Sequence, residues 1–110
     1  MNDAQYTAKK IGKFGNADLY RLSFSGTFPS DISADTPRNI AALPSLGNGV
    51  IFFSVIAQNS GGSYLGNYYN SATDKALYYI QSGYLVAVVG TASHFKSRPY
   101  VAIIDYIVNS

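Results

Sequence analysis

At 110 residues the chain has room for one domain and one hydrophobic core. It is 47% hydrophobic and only 13% charged, against roughly 25% charged in an average soluble domain, and its net charge of +2 supplies no basic stripe for nucleic acid. The absence of cysteine excludes disulfides and thiolate metal sites, and no run of about 20 apolar residues is available for membrane insertion.

Residues 1–5 form a polar lead-in without the pattern of a signal peptide, leaving residues 6–110 as a single domain. Residues 6–14 fit a first strand whose Lys9, Lys10 and Lys13 discourage edge-to-edge pairing. Gly15-Asn16 tolerates the positive φ of a tight turn and predicts a hairpin. In residues 17–25, Tyr20, Leu22 and Phe24 alternate with Arg21, Ser23 and Ser25, as in a half-buried strand. Residues 26–38 hold Pro29, Pro37, Asp31 and Asp35 and read as a loop, followed by a short apolar piece over 39–43 that stops at Pro44. The β-branched and aromatic run Val50-Ile-Phe-Phe-Ser-Val-Ile-Ala57 is apolar on both faces and reads as a central strand.

Residues 58–73 combine glycine and amide side chains with Tyr64, Tyr68 and Tyr69, a composition shared with recognition loops. The same residues also suit a short strand in which Tyr64-Leu65 and Tyr68-Tyr69 pack on the core. Residues 75–80 and 83–89 flank a second hairpin turn at Gln81-Ser82-Gly83, and residues 90–98 form a polar loop with the only histidine, His94. The closing strand places Tyr100, Ala102, Ile104, Tyr106 and Val108 on one face and Val101, Ile103, Asp105 and Ile107 on the other. Seven or eight short strands between turn signals, with no substantial helix, predict an all-β antiparallel sandwich of jelly-roll type.

Three strands carry two apolar faces each, although a two-layer sandwich covers only one. Leaving six such side chains in water forgoes about 10 kcal/mol, comparable with the whole stability of a small domain, about 5 to 15 kcal/mol. Either the long loops fold back over these faces or other copies of the chain cover them. Val101, Ile103, Asp105 and Ile107 are the candidate oligomer interface, with Asp105 expected to pair with a cation or hydroxyl there.

Catalytic chemistry is sparse. There is no Cys and no Glu, and a serine triad would rest on His94 without a nucleophile-elbow motif. A carboxylate pair would have to come from Asp31, Asp35, Asp74 or Asp105, of which Asp31 and Asp35 suit turns. One histidine does not make a transition-metal site, and Gly61-Gly62 lacks the features of a phosphate loop, so the sequence predicts no enzyme, metal or cofactor.

The stretch Lys9-Lys-Ile-Gly-Lys-Phe-Gly-Asn-Ala-Asp-Leu-Tyr-Arg-Leu-Ser-Phe-Ser-Gly-Thr-Phe-Pro29 resembles the hairpin that opens the C-terminal head domains of phage tail fibres and baseplate appendages. A lysine-rich strand turns at glycine, a Leu19-Tyr20-Arg21 strand follows, and Gly26-Thr27-Phe28-Pro29 ends it. The likeness continues through Asn39-Ile40-Ala41, the strand from Val50, the hairpin at Gln81-Ser82-Gly83 and the closing Asp105-Tyr-Ile-Val108. Phe14 and Gly15-Asn16-Ala17 stand where that family commonly has Trp and Gly-Lys-Pro.

The resemblance implies a β-sandwich homotrimer in a virion tail, made in the host cytoplasm without a signal peptide. Its expected partners are other tail proteins and a host cell-envelope glycan. The family shares no fixed sugar-binding motif, so the candidate ligand residues come from the loops of this chain: Tyr64, Tyr68, Tyr69 and Asn70 in one, His94, Lys96 and Arg98 in the other. Aromatic faces would meet sugar C–H groups and the polar side chains the hydroxyls. A purely structural virion part, a cap or adaptor docking on other tail proteins, is the alternative, and a small secreted lectin a third.

Overall fold

The computed structural model describes residues 6–109, so the polar lead-in lies outside the described residues. Gly15, at φ +62°, turns β1 (Thr7–Phe14) into β2 (Ala17–Thr27), as the Gly-Asn signal predicts. The loop after β2 leads to β3 (Arg38–Ala42) and then β4 (Gly49–Gln58). Two short strands follow, β5 (Tyr64–Leu65) and β6 (Tyr68–Ser71). The second hairpin joins β7 (Asp74–Gln81) to β8 (Tyr84–Val89) through Ser82 and Gly83, both at positive φ. A single 3-10 turn over Ala92–His94 precedes β9 (Pro99–Val108).

The nine strands form an all-β sandwich of two antiparallel sheets, a five-stranded one in the order β1-β2-β9-β4-β5 and a four-stranded one in the order β3-β8-β7-β6. The chain crosses between sheets after β2, β3, β5 and β8, while β6, β7 and β8 run as a meander. The strand count exceeds the predicted seven or eight because 58–73 gives one short strand to each sheet. Neither is long enough to show a period of two in the sequence.

The core lies between the sheets, where the alternation puts it: Leu22 and Phe24 from β2, Val55 and Ala57 from β4, Tyr100, Ala102 and Ile104 from β9, facing Ala76, Tyr78, Leu85, Ala87 and Val89. Phe28 anchors it, with its ring centroid 5.4 Å from Tyr100, 5.6 Å from Phe95 and 6.4 Å from Tyr78. The Tyr100 hydroxyl crosses the core to donate to the Ile40 carbonyl at 3.0 Å. Tyr100 thereby ties the two sheets together.

Two expectations change. β4, read as central, has β9 along one side but on the other only β5, which pairs with Ala57 and Gln58 alone. It therefore lies between β9 and β5 but has no strand partner on that second side over residues 49–54, while Gly66 lies against Val55 and Ile56. Apolar side chains report what covers the faces of a strand, whereas lateral neighbours are set by topology. Asp105 does pair with a cation, but with Arg21 of the same chain, opposite it in the register of β2 and β9.

The long loops do not fold over the outer face of the five-stranded sheet. There Phe52 and Val101 are each 53% exposed and Ile56 is 44% exposed. On the outer face of the other sheet Val86 is buried, while Leu77, Tyr84 and Tyr69 remain open.

Candidate functional site

The strand directions gather the polar loops at one end of the sandwich. Loops 28–37, 59–63, 72–73 and 90–98 meet there, while the turns at 15–16, 43–48 and 82–83 occupy the other end. Backbone contacts fix this loop end. The amide of Phe28 donates to the Arg98 carbonyl at 2.9 Å, that of Asp35 to Val89 at 2.9 Å, and that of Ser60 to His94 at 2.8 Å. Asn59 organises its own loop, its Oδ1 accepting from the amides of Gly61 and Ser63, each at 3.0 Å.

Asp74 is the centre of the loop end. The 72–73 turn folds β6 back on β7, so that Tyr68 and Asn70 converge on the Asp74 carboxylate. The Tyr68 hydroxyl donates to Oδ1 at 2.7 Å and the Asn70 amide to Oδ2 at 3.0 Å. The turn itself is clamped from β8: the Thr91 hydroxyl donates to the Thr73 carbonyl at 2.7 Å, and the Gly90 amide to the Lys75 carbonyl at 3.0 Å. A β-carbon on Gly90 would lie 2.7 Å from the Thr73 carbonyl carbon, so only glycine allows this approach.

Those hydrogen bonds set the charge state. Donation from Tyr68 and then Asn70 holds the Asp74 carboxyl below its usual range, with His94 adding a weaker electrostatic pull. Burial, reinforced by the Asp74 carboxylate, pushes the Tyr68 hydroxyl up to about 12. Asp74 is thus an ionised acceptor, and Tyr68 and Asn70 fix its orientation.

The seven predicted ligand residues divide. Tyr68 and Asn70 come together on Asp74, and His94 lies at the same end on the 3-10 turn. Tyr64 lies at the same end on β5 and is 72% exposed. Arg98 is there too, but its guanidinium is engaged with Gln58, donating to the side-chain Oε1 at 2.6 Å and to the carbonyl at 3.2 Å. Lys96 is exposed, and its backbone amide donates to the Ala92 carbonyl at 2.9 Å, beside the 3-10 turn. Tyr69 is separated from the cluster. It points to the outer face of its sheet, where the Lys75 ammonium sits 5.9 Å from its ring centroid and pairs with Asp35 at 2.6 Å.

No protein-family model, curated protein or solved structure matches this chain.

Chemically, the cluster offers one carboxylate acceptor and an amide, and the same end of the sandwich also carries an imidazole, His94, and an open phenol, Tyr64. Among the described residues no three His, Cys, Asp or Glu side chains converge as metal ligands. The sequence offers Asp74 only as half of a carboxylate pair and does not single it out for binding. The available signal was Tyr68-Tyr-Asn-Ser-Ala-Thr-Asp74 read as a tight hairpin, which sets residues 68 and 70 against 74. A shallow hollow lined by Phe14, Asn16, Ala17, Ile107 and Asn109 lies at the opposite end, away from these groups.

The four predicted interface residues share the outer face of the five-stranded sheet. Val101 is open, Ile103 and Ile107 are half-buried, and Asp105 is covered. Across the ladder Ile56 faces Val101, Ser54 faces Ile103 and Phe52 faces Asp105, so β4 extends the same apolar surface.

Proposed function

We propose that this chain is a non-enzymatic head domain of a phage tail or appendage that recognises a host cell-surface saccharide at its loop end. The tail assignment rests on the opening hairpin of the sequence. The saccharide assignment rests on the Asp74 cluster, an oriented, ionised acceptor with an amide beside it, at the same end as an exposed tyrosine ring. Sugar hydroxyls donate to such a carboxylate, and the apolar face of a pyranose stacks on such a ring. A glycan array of bacterial envelope polysaccharides tests this. Binding that falls at least tenfold in both Asp74→Ala and Tyr64→Ala supports the reading, and a folded protein that binds nothing on the array contradicts it.

The open apolar patch of Phe52, Ile56 and Val101 favours a second reading, a structural part of a virion that docks on other tail proteins. Tight association with a purified tail protein, abolished by Val101→Lys and untouched by Asp74→Ala, would replace the first reading with this one.

A further inference from the structure

We infer that the saccharide bound at the loop end carries an acidic group, a carboxylate or a phosphate, and that Arg98 with Tyr64 forms the subsite that takes it. This rests on the saccharide reading and narrows it to anionic envelope glycans. Behind it stands a guanidinium that is fixed in place yet has no counter-charge.

The acids of the loop end are already committed. Asp31 pairs with Arg38 at 2.9 Å and Asp35 with Lys75 at 2.6 Å, while Asp74 accepts from Tyr68 and Asn70. Arg21 and Arg38 each hold an aspartate. Among the described residues no carboxylate pairs with Arg98, nor with Lys96 two positions before it. Arginine stays charged at any pH the protein meets, so loop 90–98 presents positive charge that no described carboxylate neutralises.

Arg98 is held in place through both backbone and side chain. Its amide donates to the Phe95 carbonyl at 2.9 Å, and its own carbonyl accepts from the Phe28 amide at 2.9 Å. Its Nε donates to the Gln58 carbonyl at 3.2 Å and its Nη2 to Gln58 Oε1 at 2.6 Å. Gln58 is fixed in turn, its Nε2 donating to the Gly62 carbonyl at 3.4 Å, in the loop that Asn59 ties together. A guanidinium is planar with five N–H groups, so two bonds to Gln58 set its plane and leave the Nη1 donors to a ligand. Such a planar fork matches the oxygens of a carboxylate or phosphate. Arg98 is also half-buried, where a charge pair is stronger than in open water.

Tyr64 supplies the stacking surface. It stands opposite Gln58 in the ladder of β4 and β5, so the two side chains leave the sheet on one face. The phenol is therefore beside the residue that holds the cation. An acidic pyranose lays its apolar face on Tyr64 and directs its oxyanion to Arg98. A nucleic acid is disfavoured, because a net charge of +2 without a basic stripe neutralises few phosphates.

The test is an array of bacterial envelope polysaccharides in three forms: native, with carboxyl groups reduced to alcohols, and dephosphorylated. Binding is expected on acidic members and falls at least tenfold when the anion is removed. The treatment that removes binding tells a carboxylate from a phosphate. This comparison uses the unaltered chain, so it decides even where a variant fails to fold. Arg98→Gln is expected to give the same tenfold loss. Gln58→Glu sets a carboxylate against the guanidinium from within the chain, and is expected to keep the strand circular dichroism and lose the acidic members. Binding confined to neutral polysaccharides, lost in Asp74→Ala and kept in Arg98→Gln, overturns this inference and leaves the saccharide reading standing. So does binding to acidic members that Gln58→Glu leaves intact. An array on which nothing binds overturns both, and an oligothymidylate that displaces the acidic glycan at equal concentration overturns the assignment to sugar.

Discussion

Arg21 and Asp105 stand opposite each other on β2 and β9 and close a two-pronged ion pair, Nε to Oδ1 at 2.9 Å and Nη2 to Oδ2 at 3.0 Å. The partners are unequal: the Asp105 side chain is 9% exposed and that of Arg21 44%. Removing the aspartate leaves a cation that reaches water, whereas removing the arginine leaves a covered carboxylate with no counter-charge. Arg21→Ala is therefore expected to destabilise more than Asp105→Ala. Urea unfolding of the two variants measures the difference. Equal deficits would refute this account.

Tyr100 and Gly26 make a second linked pair. A β-carbon on Gly26 would sit 2.5 Å from the Tyr100 hydroxyl oxygen, on a ring that is 1% exposed and held to Ile40. Gly26→Ala is expected to cost about 1 to 3 kcal/mol by overpacking. Tyr100→Phe is expected to cost about 1 kcal/mol for the hydrogen bond lost. The double variant should cost less than the sum, since the oxygen nearest to the new methyl is gone, and chemical denaturation of all four proteins measures it.

Alkaline pH should unfold the protein through its tyrosines. Burial, with a smaller electrostatic contribution from Tyr6, pushes the Tyr100 hydroxyl up to about 12, and Tyr68 is pushed up to about 12 as well. Unfolded tyrosines ionise near about 10, so the folded state holds these protons longer. Stability from them is complete below about pH 10 and falls as the pH rises toward about 12. Tyrosinate absorbance and circular dichroism should change together in this window, and Tyr100→Phe should make the fall shallower.

Asn67 extends the ladder of β7 beyond the end of β6. Its side-chain Oδ1 accepts from the Tyr78 amide at 2.7 Å, where strand pairing of β6 has stopped at Tyr68. Asn67→Ala orphans a part-buried donor and is expected to cost about 1 to 3 kcal/mol. Faster hydrogen exchange at the Tyr78 amide is the specific signature, and unchanged protection there would disprove the role.

Much of this fold is legible from period and punctuation. Alternation in β2 names Leu22 and Phe24 as core, Gly15-Asn16 and Ser82-Gly83 place both hairpins, and the lysines of β1 mark an edge. Two things were not legible, for different reasons. The unpaired side of β4 over residues 49–54 escapes because a residue pattern encodes which faces are dry, while sideways neighbours depend on strand order across the whole chain. Asp74 escapes because its role comes from a four-residue strand, too short for a period to emerge, and from Gly90 and Thr91 pressing on the turn. Composition alone points to Tyr68, Asn70 and His94 and does not separate them from Tyr69 on the outer face.

The course of β9 has a practical result. It starts at Pro99 beside the polar loops and finishes at Val108, at the far pole from Asp74. A chain tethered to a sensor chip through an added C-terminal tag would stand with Tyr64, Asn70 and His94 uppermost, presented to whatever flows past.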